Sequence, residues 1–243
     1  MKVSDKGLLE IAEHEGIVPA PYLDSKGIWT YGIGHTAGAG GLDPLELDRA
    51  MPSNVEAAIG HAISVFREDI AKVERRIEAV IRVPLKQHQI DAIASWDLNT
   101  GGLTWKSASG QPCQLVRQIN AGDFSGEGFM GWQKPKEIIK RRKAERALFR
   151  TGNYDANGDD IPVWRTDGKG NLKGILRSFD GADLLALMNR NAPKAPPARE
   201  VPPRPAVTAP AIVLGAGVTA LGAAWALACK IPFIAWLFSS CGN

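Results

Sequence analysis

One long amphipathic segment constrains the fold more than any other feature of this chain. Across residues 52–81, large apolar side chains recur every three or four positions, which is the spacing of one face of an α-helix. Ser53 and Glu56 stand three residues apart, as in a capping box, so we expect the helix to begin there. The predicted buried stripe consists of Ile59, Ile63, Phe66, Ile70, Val73 and Ile77.

The remaining patterns predict further helices and one small sheet. An N-terminal helix is expected at residues 6–14, with Ser4 as its N-cap. The tight-turn sequence at 24–27 lies between two short runs of β-formers and predicts a hairpin. Helical spacing also occurs at 86–98, 111–120, 124–133 and 136–151. We therefore predict an α+β, mainly helical domain with a small β-hairpin sheet near its N-terminus.

Charge and cysteine content exclude some classes of function. The 243 residues carry a formal net charge of +3. That whole excess lies after residue 190, so the globular part has no basic surplus and we expect no nucleic-acid partner. Only three cysteines occur, Cys113, Cys229 and Cys241, which argues against a disulfide scaffold and suits a reducing compartment.

Residues 14–36, HEGIVPAPYLDSKGIWTYGIGHT, bring two acids and a hydroxyl close together among glycines and aromatics. Glycoside hydrolysis needs two carboxyl groups, one protonated to release the leaving oxygen and one ionised to activate water or attack carbon. Glu15 at a helix end and Asp24 at a hairpin turn could face each other across a cleft, and Thr30 could help Asp24 hold a water. Spacing alone leaves the alternative open, because Glu15 could be a solvated helix residue and Asp24 a turn former.

Several motifs together resemble the phage-type lysozymes of glycoside hydrolase family 24, in their lambdoid endolysin branch. The first is Glu15-Gly16 followed by Tyr22, Asp24, Gly27, Thr30 and the run Gly32-Ile33-Gly34-His35. Similar stretches follow at 87–102 (QHQIDAIASWDLNTGG), at 118–124 (QINAGDF), at Trp132 and at 141–155 (RRKAERALFRTGNYD). The resemblance spans residues 1 to about 155 and comprises four separated motifs, with Trp132 between the last two, in the order of the family.

The resemblance implies a peptidoglycan muramidase that cuts between N-acetylmuramic acid and N-acetylglucosamine. Glu15 would be the general acid, and Asp24, assisted by Thr30, would orient the attacking water. The family is known as inverting and needs no metal or cofactor. Two alternatives are a lytic transglycosylase and a catalytically silent, membrane-anchored wall-binding protein. His35 is expected to be structural, and Arg141 and Arg142 to form helix-surface ion pairs with Glu137 or Glu145.

The end of the chain has a different composition. Seven prolines fall between residues 193 and 210, and the 19 residues 211–229 carry no charge. A helix of that length spans about 28 Å, close to the hydrocarbon core of a bilayer. We therefore predict a catalytic domain at 1–155, an extension of unknown role at 156–191, a proline-rich linker at 192–210, a transmembrane helix at 211–229 and a short tail at 230–243.

The basic residues predict how that helix is oriented. Lys194, Arg199 and Arg204 precede the span, whereas Lys230 alone follows it. Cytoplasmic flanks carry the excess of Lys and Arg, and the N-terminus shows no run of signal-peptide length. We expect a domain in the host cytoplasm, tail-anchored to the inner membrane. It would reach the glycan strands of the wall after release or permeabilisation, with a hole-forming protein as a possible partner.

Overall fold

The computed structural model describes residues 1–154 and 160–191. The α-helices in these ranges are α1 (Asp5–Glu15), α2 (Val55–Val80), α3 (Gln87–Thr100), α4 (Gln114–Asn120), α5 (Ile139–Thr151) and α6 (Gly181–Arg190). The strands are β1 (Val18–Leu23), β2 (Trp29–Gly32), β3 (His35–Thr36), β4 (Ile161–Thr166) and β5 (Leu172–Phe179). The predicted α+β, mainly helical architecture with a small antiparallel sheet is confirmed.

The first helix ends at the residue that matters most for the site. Ser4 caps α1, since its side chain accepts a hydrogen bond from the backbone N–H of Gly7, as predicted. Gly16 follows the helix with φ +67°, a left-handed value that glycine adopts without strain. Glu15 is therefore the last helical residue, and the chain turns sharply after it into β1.

The predicted hairpin is confirmed as the first two strands of a three-stranded antiparallel sheet in the order β1-β2-β3. Tyr22 pairs with Thr30 and Leu23 pairs with Trp29 across β1 and β2. Asp24 begins the turn between them, where its backbone N–H donates to the carbonyl oxygen of Ile28 at 3.0 Å. The sheet therefore places the turn and β2 side by side.

The long amphipathic helix forms the centre of the core. All six residues of its predicted stripe are buried, and they pack with apolar side chains from α1, α3 and α5. Its predicted start is wrong by one residue, because Asn54 rather than Ser53 is the N-cap. The Asn54 side chain accepts from the backbone N–H of Ala57 at 3.0 Å.

The helix predicted at 124–133 is also wrong. Only a short 3₁₀ helix, Glu127–Gly131, forms there. Glycine explains the difference: Gly126 has φ +72°, outside the helical range, and Gly128 packs directly on the backbone of Leu115. A Cβ atom on Gly128 would lie 2.4 Å from the Leu115 Cα atom, so this close approach takes precedence over a regular helix.

In the extension of unknown role predicted at 156–191, residues 160–191 form a two-stranded antiparallel sheet, β4-β5, followed by α6. Leu184 and Met188 of α6 are fully buried in the same core as α1 and α2. Across residues 1–154 and 160–191, no helix has both the length and the apolar character to span a membrane. The predicted transmembrane segment at 211–229 lies outside the described residues.

Candidate active site

The Glu15 side chain is largely buried, with 16% of it exposed. Arg141, near the start of α5, donates a hydrogen bond from Nη1 to Glu15 Oε1. The second oxygen, Oε2, lies beside Gly34, where a Cβ atom would come within 2.9 Å of it. One oxygen of the carboxyl group is thus tied to the helical core, and the other lies against the glycine turn that borders the cleft.

Arg141 belongs to a buried ionic cluster between α3 and α5. Its Nε donates to Glu145 Oε1 at 3.0 Å, and its Nη2 donates to the backbone oxygen of Ser95 at 3.2 Å. Ser95 Oγ also donates to Glu145 Oε1, at 2.8 Å. Arg142 lies 3.0 Å from the same carboxylate. The cluster holds the guanidinium of Arg141 from several sides and so fixes the group that holds Glu15.

Part of the sequence interpretation of these arginines is therefore wrong. Both arginines pair with Glu145, one of the two partners expected from the sequence. The pairs are buried, however, and do not lie on the helix surface. Burial raises the pKa of Glu145, although the two guanidinium groups oppose that rise. Burial also lowers the pKa of Arg142 to about 10, which leaves it protonated at neutral pH. The signal for this cluster is the Arg-Arg-x-x-Glu spacing, but spacing alone does not show that the face is buried.

Asp24 is oriented by the turn that it begins. Its Oδ1 accepts hydrogen bonds from the backbone N–H groups of Lys26 and Ile28, both at 2.8 Å. These bonds hold the carboxyl group in one orientation, half-buried at the rim of the cleft. Asp24 therefore acts as a turn former and also lines the cleft, so the two alternatives that spacing left open are not exclusive.

Thr30 is buried on β2, and its hydroxyl donates to the carbonyl oxygen of Ile28 at 3.0 Å. Because the hydroxyl carries one proton, its oxygen can only accept a hydrogen bond from a molecule in the cleft. A water held by Thr30 would therefore donate a hydrogen bond to its Oγ1.

A cleft of about 380 Å³ brings the three predicted site residues together. Tyr22 lies near both acids: burial raises its pKa, and the charges of Glu15 and Asp24 raise it further, so its hydroxyl stays protonated. A second pocket of about 320 Å³ shares Gly34, Thr36, Leu98 and Asn99 with this cleft and extends it into a groove. The cleft is lined mainly by Glu15, Tyr22, Asp24, Thr30, Gly34, Asn99 and Glu137.

His35 is structural in this arrangement, as predicted. It is 2% exposed, its Nδ1 lies 2.6 Å from Asp69 Oδ2, and its Nε2 lies 2.8 Å from the carbonyl oxygen of Leu42. Burial opposes the charged imidazolium, but the bonds to Asp69 and Leu42 and the charge of Asp69 outweigh it and raise the pKa of His35. The pair of His35 and Asp69 joins the sheet to α2.

Within residues 1–154 and 160–191, no group of three or more His, Cys, Asp or Glu side chains could hold a metal ion.

Comparison with known proteins identifies the family. The phage lysozyme family model matches residues 12–145. The chain is 36% identical to an endolysin of Acyrthosiphon pisum secondary endosymbiont phage 1, over 61% of this chain and 98% of the relative. It is 30% identical to an endolysin of Salmonella phage P22, again over 61% and 98%. A crystal structure of a P22 lysozyme mutant aligns with a TM-score of 0.47 and 32% identity, covering 61% of this chain and 98% of that one.

The fold and the site thus define a lysozyme-type glycoside hydrolase with a peptidoglycan-lysing, muramidase-type activity. The chain belongs to the phage lysozyme family. The family match ends at residue 145, so β4, β5 and α6 lie beyond it.

Proposed function

We propose that this protein hydrolyses the β-1,4 bond between N-acetylmuramic acid and N-acetylglucosamine in peptidoglycan, with Glu15, Asp24 and Thr30 as its catalytic residues. The observation that carries the proposal is their convergence on one cleft, where both acids also act on Tyr22. The groove that continues past Gly34 suits a polymeric glycan, because an open groove accepts a chain along its length whereas a closed pocket accepts only an end.

Glu15 serves as the general acid. Arg141 holds Oε1, so the proton to be transferred is carried by Oε2, on the side of Gly34 and the cleft. A carboxyl group held in this way can protonate the glycosidic oxygen as the bond to the anomeric carbon breaks. Glutamine at this position would keep the shape of the side chain but could not deliver that proton.

Asp24 and Thr30 orient the attacking water. Since the Thr30 hydroxyl proton is donated to Ile28, the water donates one hydrogen to Thr30 Oγ1 and the other to the Asp24 carboxylate. Both hydrogens of the water are then held, and a lone pair on its oxygen is left for the anomeric carbon. As the water attacks opposite the leaving group, the hydrogen that it donates to Asp24 passes to that carboxylate as a proton, and the configuration of the carbon is inverted.

Product analysis tests this mechanism on purified glycan strands. NMR of the first turnover should show the α-anomer from the β-linked substrate. A dominant β-anomer would mean that Asp24 attacks carbon directly. Anhydro-muramic ends in the mass spectrum would instead identify a lytic transglycosylase, which uses no water, and would remove the role given to Asp24 and Thr30.

The biological role that fits this activity is lysis of a bacterial host by a phage or prophage. Residues 211–229 are proposed to tail-anchor the enzyme in the inner membrane, with the catalytic domain in the cytoplasm because Lys194, Arg199 and Arg204 precede the span. A hole-forming partner would then give access to the wall.

The topology can be tested with protease. Protease added to intact spheroplasts should leave residues 1–190 undigested. Digestion of the domain would place it in the periplasm and remove the need for such a partner.

A further inference from the structure

The segment between the two proposed catalytic acids, residues 16–23, is bound at both ends by the β4-β5 hairpin. This hairpin, residues 161–179, lies beyond the family match and touches the segment next to Glu15 and again next to Asp24. Backbone hydrogen bonds, whose lengths and angles vary over narrow ranges, are made at both places.

Near Glu15, the contact is a short stretch of parallel pairing. The N–H of Ile17 donates to the carbonyl oxygen of Pro162, and the N–H of Trp164 donates to the carbonyl oxygen of Ile17, both at 2.8 Å. The Trp164 indole also packs on Gly16, where a Cβ atom would lie 2.8 Å from Nε1. The first two residues after Glu15 are thus held by both the backbone and a side chain of β4.

Near Asp24, the hairpin tip makes the second contact. The N–H of Leu23 donates to the carbonyl oxygen of Gly170 at 2.9 Å. Gly170 has φ +92° and lies so close that a Cβ atom on it would be 2.8 Å from Leu23 Cγ and 3.0 Å from the Trp29 ring. The tip itself is ordered by Asp167, whose Oδ1 accepts from the N–H groups of Lys169 and Asn171 at 2.9 and 3.0 Å.

The hairpin is in turn attached to the helical core, so it can hold the segment in place. Ile161, Val163 and Phe179 of the hairpin are buried in the same core as the helices, and Arg177 on β5 also forms an exposed ion pair with Glu56 on α2 at 2.7 Å. The α6 helix that follows buries Leu184 and Met188 and receives a hydrogen bond at Asn189 from Arg67 at 3.2 Å. The contacts at Ile17 and Leu23 therefore connect the catalytic segment to α2.

We infer that the β4-β5 hairpin positions the two carboxyl groups, by fixing both ends of the strand that joins Glu15 to Asp24. The inference rests on the function proposed above for these two acids. Inversion requires carboxyl groups about 6.5–9.5 Å apart, and a displacement of about 1 Å can reduce the rate about 100-fold. Gly170 and Trp164 are positioning residues and do not contact the reacting atoms.

Two alanine variants of the full chain test the inference. Gly170→Ala places a methyl group against Leu23 and Trp29, whereas Gly174→Ala in the same hairpin also has a left-handed backbone, φ +114°, but meets only open space. Both should lose thermal stability because of the left-handed backbone, and Gly170→Ala should lose more because of the added contact. Only Gly170→Ala should lower kcat on soluble glycan oligomers, by about 10-fold or more, with KM changed by less than about twofold.

If Gly170→Ala folds and has the same kcat as Gly174→Ala, the inference is overturned, whether both values are lowered or neither is. If Gly170→Ala does not fold, Trp164→Phe decides, with exposed Trp105→Phe as its control. Trp164→Phe should lower kcat several-fold, and an unchanged kcat would overturn the inference. Glu15→Gln in the same assay tests the proposed function separately from the role of the hairpin. If Glu15→Gln keeps its activity, the proposed function is wrong.

Discussion

Arg141 donates a hydrogen bond to Glu15, and this contact joins the last residue of α1 to the first turn of α5. The two residues are 126 positions apart in the sequence. Arg141 is 9% exposed and is held by Glu145 and Ser95. The orientation of the proposed general acid therefore depends on a buried ionic cluster from the far end of the domain.

Arg141→Lys should reduce kcat by about 10- to 100-fold while KM changes little. Lysine keeps the charge but lacks the planar fork that reaches Glu15, Glu145 and Ser95 together. Arg150→Lys, on the exposed end of the same helix, should behave as the wild type. Steady-state kinetics on soluble glycan oligomers measure the effect, and equal kcat values for the two variants would show that Arg141 does not orient Glu15.

Gly34→Ala should reduce activity by about 100-fold, because a methyl group there would come within 2.9 Å of the Glu15 carboxyl group. Gly40→Ala is the matched control: it has a similar backbone, φ +73° against +71°, but no atom within 4 Å of the added carbon. Lysis of wall fragments, followed by turbidity, compares the two. Full activity in Gly34→Ala would mean that this face of Glu15 is not used.

Thr30 can be tested with two variants, since valine keeps the shape of the side chain and serine keeps its hydroxyl. Thr30→Val removes the hydroxyl oxygen that accepts from the water and should reduce kcat by about 10- to 100-fold. Thr30→Ser keeps that oxygen and should retain most of the activity. If valine and serine gave the same kcat, the hydroxyl would have no part in holding the water.

The three proposed catalytic residues could be predicted from the sequence, but contacts between residues far apart in the chain could not. Glu15, Asp24 and Thr30 lie within 16 residues, so one helix end and one hairpin bring them together. The contact between Arg141 and Glu15 depends on how α1 and α5 both pack against α3, which spacing does not encode. The prediction of a helix at 124–133 was wrong for a similar reason, because Gly128 packs on Leu115, which lies in another helix.

The buried pair of His35 and Asp69 predicts a pH-dependent stability. The pKa of His35 is raised in the folded state, so the pair contributes fully below the unfolded pKa of about 6.5 and is lost as the pH rises through the folded value. Asp69→Asn should cost about 3 kcal/mol of unfolding free energy near pH 5.5 and less near pH 9. Denaturant unfolding at both pH values tests this, with exposed Glu68→Gln as the control. A cost independent of pH would contradict the assignment.

Hydrolysis by Glu15→Gln tests the central claim most directly. The purified, folded variant and a matched Glu68→Gln control, changed at an exposed position of α2, are compared on wall fragments and on soluble glycan oligomers. Because glutamine cannot donate the proton that releases the leaving oxygen, Glu15→Gln should lose nearly all activity, by about 100-fold or more, while the control keeps the wild-type rate. Hydrolysis by folded Glu15→Gln at close to the wild-type rate would contradict the account.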